Sequence, residues 1–122
     1  MSQEFEFSIR AQGCEYIVLT AKGAASAEQI EQMYEAAFGF AESKRLFRVL
    51  VDLVAIDFAY PMAHFLPLMQ RLSPYLSRFK TARLIGEDSF RHDLVETVSH
   101  KSCFALKNFD DKQQAVEWLL VD

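Results

Sequence analysis

The stretch Phe47-Arg48-Val49-Leu50-Val51-Asp52-Leu53-Val54-Ala55-Ile56-Asp57-Phe58 decides the fold of this 122-residue chain. It is short and almost continuously apolar, it ends in carboxylates, and helical patterns lie on both sides of it. A run of this kind between helices is typical of a strand that is buried on both faces of a sheet. We therefore expect a central strand at about residues 48–53.

The residues before this strand predict a hairpin and then a helix. Residues 4–10 alternate polar and apolar side chains, the period of a half-buried strand, and a turn at Gln12-Gly13 leads to a second strand at residues 14–22. Ser26 and Gln29 have the spacing of a capping box, which marks a helix start. The sequence therefore begins with two antiparallel strands and a first helix.

The residues after the central strand predict a proline-containing second helix, and we expect it to be kinked near Pro67 or interrupted near Pro74, because proline breaks interior helical turns. A third helix is expected to turn Phe90 inward, and Asp110 is expected to cap a fourth.

Strands at residues 81–86 and 103–107 separate these helices, and helical connections make neighbouring strands parallel. The predicted fold class is α/β. One domain, residues 1–122, contains a mixed sheet of five strands, with an antiparallel N-terminal hairpin followed by parallel strands joined by helices, and four helices.

Composition narrows the classes of function. The net charge of −4 and the absence of a basic face or charge block argue against a nucleic-acid partner. No apolar run approaches the ~18 residues of a membrane span. The opening residues lack the basic and apolar regions of a signal peptide, so we expect a cytoplasmic protein with Cys14 and Cys103 as buried, reduced thiols. No motif indicates a cofactor or a metal.

Three stretches together resemble the STAS domain, the fold of anti-sigma-factor antagonists, in its SpoIIAA-like (STAS/SEC14-like) branch. The central strand ends in Asp52-Leu53, as the third strand of that family does, and residues 82–86 resemble its fourth strand. The tail, with Phe109, Asp110 and Asp111 followed by Ala115 and Trp118-Leu119, is similar to the closing pattern of the family.

The resemblance implies a regulatory domain that binds a protein partner. In regulatory STAS proteins a serine or threonine at the start of the helix after the central strand is phosphorylated, but residues 57–64 contain neither. The similarity of this branch to SEC14-like lipid carriers suggests, by analogy, an apolar ligand.

Acidic residues follow the predicted parallel strands at the edge where α/β sheets usually bind ligands. They are Asp52 and Asp57 after the central strand and Glu87 and Asp88 after the next one. Such an edge repels phosphates and attracts a cation or a basic protein surface. The alternative is that these carboxylates are helix caps and turn residues.

An aromatic and Met-containing segment lies beside that edge. Tyr60, Met62 and Phe65 could form an exposed apolar lip suited to adaptable binding, although Phe65 could equally belong to the core. His64 lies near Asp57 and Tyr60, where a general base is conceivable and a solvated histidine is the simpler interpretation.

The main prediction is a non-enzymatic, cytosolic STAS-like regulatory or protein-binding domain that uses residues 57–65 and 86–88. The alternative is a carrier or sensor of a small apolar ligand held between the second helix and the sheet. An enzyme using Asp52, Asp57 or His64 is a third possibility. A phosphoryl-accepting receiver is disfavoured because no acidic pair follows the first strand. A homodimer is possible, although charges on the first strand discourage edge pairing.

Overall fold

The computed structural model describes residues 3–86 and 90–121. Within them, strands and helices alternate after an opening hairpin, and a single 3₁₀ turn, Met62–His64, precedes the second helix. The elements are β1 (Glu6–Gln12), β2 (Tyr16–Ala25), α1 (Ala27–Lys44), β3 (Arg48–Phe58), α2 (Phe65–Leu76), β4 (Lys80–Leu84), α3 (Phe90–Lys101), β5 (Ala105–Phe109) and α4 (Lys112–Leu120).

The five strands form one mixed sheet in the order β1-β2-β3-β4-β5. β1 pairs with β2 antiparallel, and the pairs β2–β3, β3–β4 and β4–β5 are parallel. The fold class predicted from the sequence is confirmed. β3 is longer than predicted, since the end of β2 continues the pairing: Ala24 is opposite Asp57 and Ala25 is opposite Phe58.

Helices cover both faces of the sheet, because the strands are apolar on both sides. Val49, Val51 and Leu53 of β3 join a core cluster with α1 and α2, against which apolar residues of α3 also pack. Leu50 joins a smaller cluster with α4. We call these two sides the three-helix face and the α4 face.

α1 begins as its sequence predicts. The Ser26 hydroxyl accepts a hydrogen bond from the Gln29 amide at 3.2 Å, and the Gln29 side chain accepts one from the Ser26 amide at 2.9 Å. This reciprocal box satisfies two backbone donors at the helix end.

The predicted interruption of the second helix is wrong. Pro67 lies in the first turn of α2, where a missing amide donor costs no helical bond. Pro74 lies in the last turn, and the helix continues past it to Leu76. The Ser77 amide still reaches the Ser73 carbonyl at 3.0 Å.

Three smaller expectations are also wrong. The N-cap of α4 is Asp111, whose side chain accepts from the Gln113 amide at 3.1 Å, and not Asp110. Cys14 and Cys103 are exposed rather than buried, because each lies in a turn beside a strand. Phe90 is 70% exposed, because α3 turns other residues toward the sheet.

Two cations hold the end of α4 against the sheet. Lys80 Nζ donates to the carbonyls of Trp118, at 2.7 Å, and Val121, and Arg48 Nη1 donates to that of Leu120 at 3.0 Å. None of the helices in the described ranges is long and apolar enough to span a bilayer.

Candidate functional site

The candidate site lies where the carboxyl ends of β3 and β4 meet the start of α3. After β4 the chain passes through Gly86, where an added Cβ would lie 3.1 Å from Cγ1 of Val54 and 3.3 Å from its carbonyl oxygen. Glycine therefore lets this segment run close to β3. Open α/β sheets bind ligands at this edge.

An open groove of about 720 Å³ lies at this edge, and we call it the edge groove. Three large apolar side chains in its wall are exposed: Val54 by 55%, Met62 by 42% and Phe90 by 70%. Grouped apolar exposure is a general feature of surfaces that bind partners or ligands. Among the described residues, the lining of the groove is Leu53, Val54, Ile56, Asp57, Phe58, Met62, Gly86, Phe90, Arg91 and His92.

Behind the groove, β4 buries a cationic side chain on the three-helix face. Arg83 is only 2% exposed. Its Nη1 donates to Oδ1 of Asn108 at 2.9 Å, and its Nη2 lies 3.1 Å from Nδ1 of His92. The guanidinium therefore connects β4 to β5 and α3.

The hydrogen-bond partners of this guanidinium are neutral. Burial, the largest effect, lowers the pKa of Arg83, and the nearby Glu96 partly opposes it. Among the described residues, the Glu96 carboxylate is not hydrogen-bonded to the guanidinium: its Oε2 accepts from the backbone amide of Asn108 at 2.6 Å. In the described part of the chain, Nε of Arg83 has no hydrogen-bond partner. A buried charge and an unused donor both disfavour the folded state.

Two tyrosines lie near this guanidinium, Tyr34 from α1 and Tyr60 after β3, and both are buried. Burial raises the pKa of each phenol, and the charge of Arg83 partly opposes the shift. Arg91 also lowers the pKa of Tyr60, and its guanidinium lies 4.6 Å from the centre of that ring. Both phenols are therefore protonated donors at neutral pH.

His92 is buried beside the same guanidinium, and its ring packs edge-on against Phe58 with 5.2 Å between centres. A guanidinium can only donate hydrogen bonds, so Nδ1 of His92 must accept from Arg83. The imidazole is then neutral and carries its proton on Nε2.

A small internal cavity of about 30 Å³ lies between α1, α2 and the sheet. Its polar lining residues are Tyr34, Tyr60 and Arg83, and the other lining residues are apolar: Ile30, Met33, Leu53, Ile56, Phe58, Leu68, Met69, Leu72, Leu76 and Val95. Leu53, Ile56 and Phe58 line both the cavity and the edge groove. These three side chains form the wall between the two spaces.

The polar residues singled out in the sequence occupy separate places. Oδ1 of Asp52 accepts a hydrogen bond from the Val54 amide at 3.1 Å, a local turn contact. Asp57 is exposed in the edge groove, and His64 is exposed in the 3₁₀ turn. Within residues 3–86 and 90–121, no hydrogen bond or ion pair joins any two of these three side chains.

The predicted apolar lip is only partly exposed. Met62 is accessible, but Tyr60 and Phe65 are 5% and 3% exposed, so the expectation of an exposed lip is wrong for these two. Tyr60 packs edge-on against Phe58, and Phe65 joins the main core cluster at the start of α2. The predicted site residues Glu87 and Asp88 lie outside the described residues.

Sequence reasoning missed Arg83, His92 and Asn108. A signal for Arg83 was present, because it lies in the interior of a predicted strand with parallel neighbours, and helices cover both faces of such sheets. His92 was missed because Phe90 suggested a different inward face for α3. No group of three or more His, Cys, Asp or Glu side chains among the described residues has a metal-binding arrangement.

Several solved structures are similar to the chain. An uncharacterized protein from the DUF3478 family with a SpoIIAA-like fold, from Shewanella loihica PV-4, is 21% identical over 98% of both chains, with a TM-score of 0.63. An anti-sigma factor antagonist from Mycobacterium paratuberculosis is 13% identical over 95% of this chain and 94% of its own, with a TM-score of 0.65.

The Bacillus cell fate determinant SpoIIAA, in the phosphorylated form, is 15% identical over 92% of this chain and 97% of its own, with a TM-score of 0.52. The sequence matches no protein-family model and no curated protein. At these identities the likeness is one of fold. The strand order, the antiparallel first pair and the four helices agree with it, and the chain has the SpoIIAA-like fold.

Proposed function

We propose that this chain is a non-enzymatic STAS-like regulatory domain that binds a protein partner through the edge groove. The observation that carries the proposal is the exposure of Val54, Met62 and Phe90 around one groove. Asp57 lies beside them with its carboxylate exposed. This combination fits a partner segment with an apolar side chain next to a basic one.

The fold supports a protein partner, because an anti-sigma factor antagonist shares it. Residues 57–64 contain no serine or threonine, so control by phosphorylation of a hydroxyl in that segment is not part of the proposal. The cytoplasmic location and the homodimer expected from the sequence stay predictions.

The test compares two charge insertions with equal chemistry. Met62→Asp places a carboxylate in the edge groove, whereas Leu66→Asp places one at a 60% exposed site outside the groove lining. Each variant is used as bait for quantitative affinity capture from the source lysate. Proteins captured by the Leu66→Asp variant should be lost from the Met62→Asp capture. If both variants capture the same proteins in equal amounts, the groove is not the partner surface.

A second candidate function is a carrier or sensor of a small apolar ligand. The internal cavity favours it, since the cavity is predominantly apolar, contains two adaptable Met side chains, Met33 and Met69, and shares a wall with the edge groove. Native mass spectrometry of freshly purified protein should then show an added non-covalent mass that disappears on denaturation. A clean protein mass at gentle activation energies would count against this candidate.

A further inference from the structure

We infer that Arg83 binds the carboxylate of an amphipathic monocarboxylate whose apolar tail lies in the edge groove. The inference rests on the second candidate function, and it adds the chemical class of the ligand. Its parts are the buried guanidinium, the cavity beside it and the exposed apolar groove behind a shared wall.

The charge of Arg83 is the first step. The guanidinium is 2% exposed, its bonded partners Asn108 and His92 are neutral, and its Nε has no partner in the part of the chain described. A ligand carboxylate would accept from Nε and place a negative charge in direct contact with the guanidinium. Charge-assisted bonds of this kind are the strongest in proteins, and guanidinium geometry matches a carboxylate.

Arg91 provides an independent second observation. Its Nη1 is buried, and within the described residues it has no hydrogen-bond partner. The same side chain lines the edge groove and lies over the ring of Tyr60. Tyr60 therefore lies near two guanidinium groups with unused donors, Arg83 lining the cavity and Arg91 lining the groove, so positive charge lies on both sides of the shared wall.

The size of the cavity limits the head group. A water needs roughly 10–15 Å³ of this kind of volume, so a cavity of about 30 Å³ holds about two waters. That is the space of the two oxygens of a carboxylate. The hydroxyls of Tyr34 and Tyr60, both protonated at neutral pH, add neutral donors to the lining. A phosphate is larger and carries more charge.

The tail needs more room than the cavity offers, and the edge groove supplies it. A volume of about 720 Å³ is within the ~300–1,000 Å³ range of small-molecule sites. Phe58 is part of the wall shared by the two spaces, and it is half-buried. A change of its rotamer would join the two spaces, and a tail would then contact Met62 and Phe90.

The experiment uses two probes of equal length, dodecanoate and dodecanol, below their aggregation concentrations. Isothermal titration with the intact chain should show dodecanoate binding more tightly than dodecanol. Arg83→Met should weaken dodecanoate binding about 10- to 100-fold, the effect of losing a charge-assisted hydrogen bond. Arg71→Met removes the same charge from an exposed site on α2 and should leave the affinity unchanged.

Asn108→Asp is the second variant, and it keeps Arg83 in place. It puts a carboxylate where the Asn108 amide oxygen lies, 2.9 Å from Nη1. This internal anion should compete with the ligand carboxylate. The affinity for dodecanoate should therefore fall, and the affinity for dodecanol should stay unchanged. If Arg83→Met fails to fold, as judged by circular dichroism, Asn108→Asp still decides the question.

The possible results separate the two levels of the argument. If dodecanol binds as tightly as dodecanoate and neither variant changes the affinities, the anion site is overturned and the apolar carrier survives. If neither probe binds, both are overturned. Preferential binding of dodecanoate that both variants abolish supports the inference.

Discussion

The two faces of the sheet are built on different principles. On the α4 face, Ala115 and Leu119 pack against Leu50 and Ala82, and each of these four side chains is essentially inaccessible. The three-helix face has a larger core, but it also encloses the guanidinium of Arg83 and a cavity. On the α4 face the cations Lys80 and Arg48 reach carbonyls at the end of α4, whereas the three-helix face has a guanidinium inside its core.

This difference indicates where stability and function reside. Close apolar packing stabilises a fold without specifying a ligand, whereas a buried charge disfavours folding unless a partner compensates it. The polar groups of the three-helix face lie next to the carboxyl edge of the sheet. This contrast is why both proposed binding functions use the three-helix face and its carboxyl edge, and neither uses the α4 face.

The largest expected effect tests the structural role of the α4 face. Leu119→Ala should lower the free energy of unfolding by about 2–5 kcal/mol, because it leaves a cavity among fully buried neighbours. Urea unfolding at neutral pH measures it. Val121→Ala, at a 62% exposed position just beyond the helix, should stay within about 0.5 kcal/mol. A loss below 1 kcal/mol for Leu119→Ala would mean that this face is loosely packed.

A smaller effect is expected from the polar partner of Arg83. Asn108→Ala should cost about 1–3 kcal/mol, because it leaves Nη1 of Arg83 without its shortest hydrogen bond. A double-mutant cycle with Arg83→Met separates this contact from the other bonds of Asn108. Additive losses in the cycle would show that the two side chains do not stabilise each other.

Tyr34 should make alkaline stability differ between variants. An unfolded tyrosine ionises near pH 10, and burial raises the pKa of Tyr34 in the folded chain. The stability that it contributes is therefore complete below pH 10 and declines as the pH rises through the folded pKa, by at most about 1.4 kcal/mol per pH unit. Tyr34→Phe should lose less stability between pH 9 and pH 11. Urea unfolding across this range measures the free energy of unfolding, with the value at pH 8 as reference. An equal decline for the two proteins would contradict the expectation.

The elements of the fold were predictable because each has a local cause. The apolar run at residues 48–53, the capping box at Ser26 and Gln29, and the short turn after β1 act within a few residues of one another. Helical connections then required parallel strands. The fate of Pro74 was not predictable, since proline is tolerated in a last helical turn and the position of that turn depends on packing.

The site depends on contacts that the sequence keeps far apart. Arg83, His92 and Asn108 come from β4, α3 and β5, and no spacing rule connects them. The position of Arg83 inside a predicted strand indicates that it is buried. No pattern in the sequence indicates that its hydrogen-bond partners are neutral. Phe90 was expected to be buried and Tyr60 to be exposed, and both expectations are reversed because the rotation of α3 and the path after β3 determine them.

The smallest expected effect comes from an arginine on the outside of the three-helix face. Arg71 Nε lies 3.0 Å from Glu31 on α1, and their side chains are 46% and 33% exposed. Solvent screens such a pair, so Arg71→Met should change the unfolding free energy by less than about 1 kcal/mol, and less still at high salt. Urea unfolding at two salt concentrations measures it. A loss above about 1 kcal/mol would overturn this prediction and show that solvent does not screen this pair.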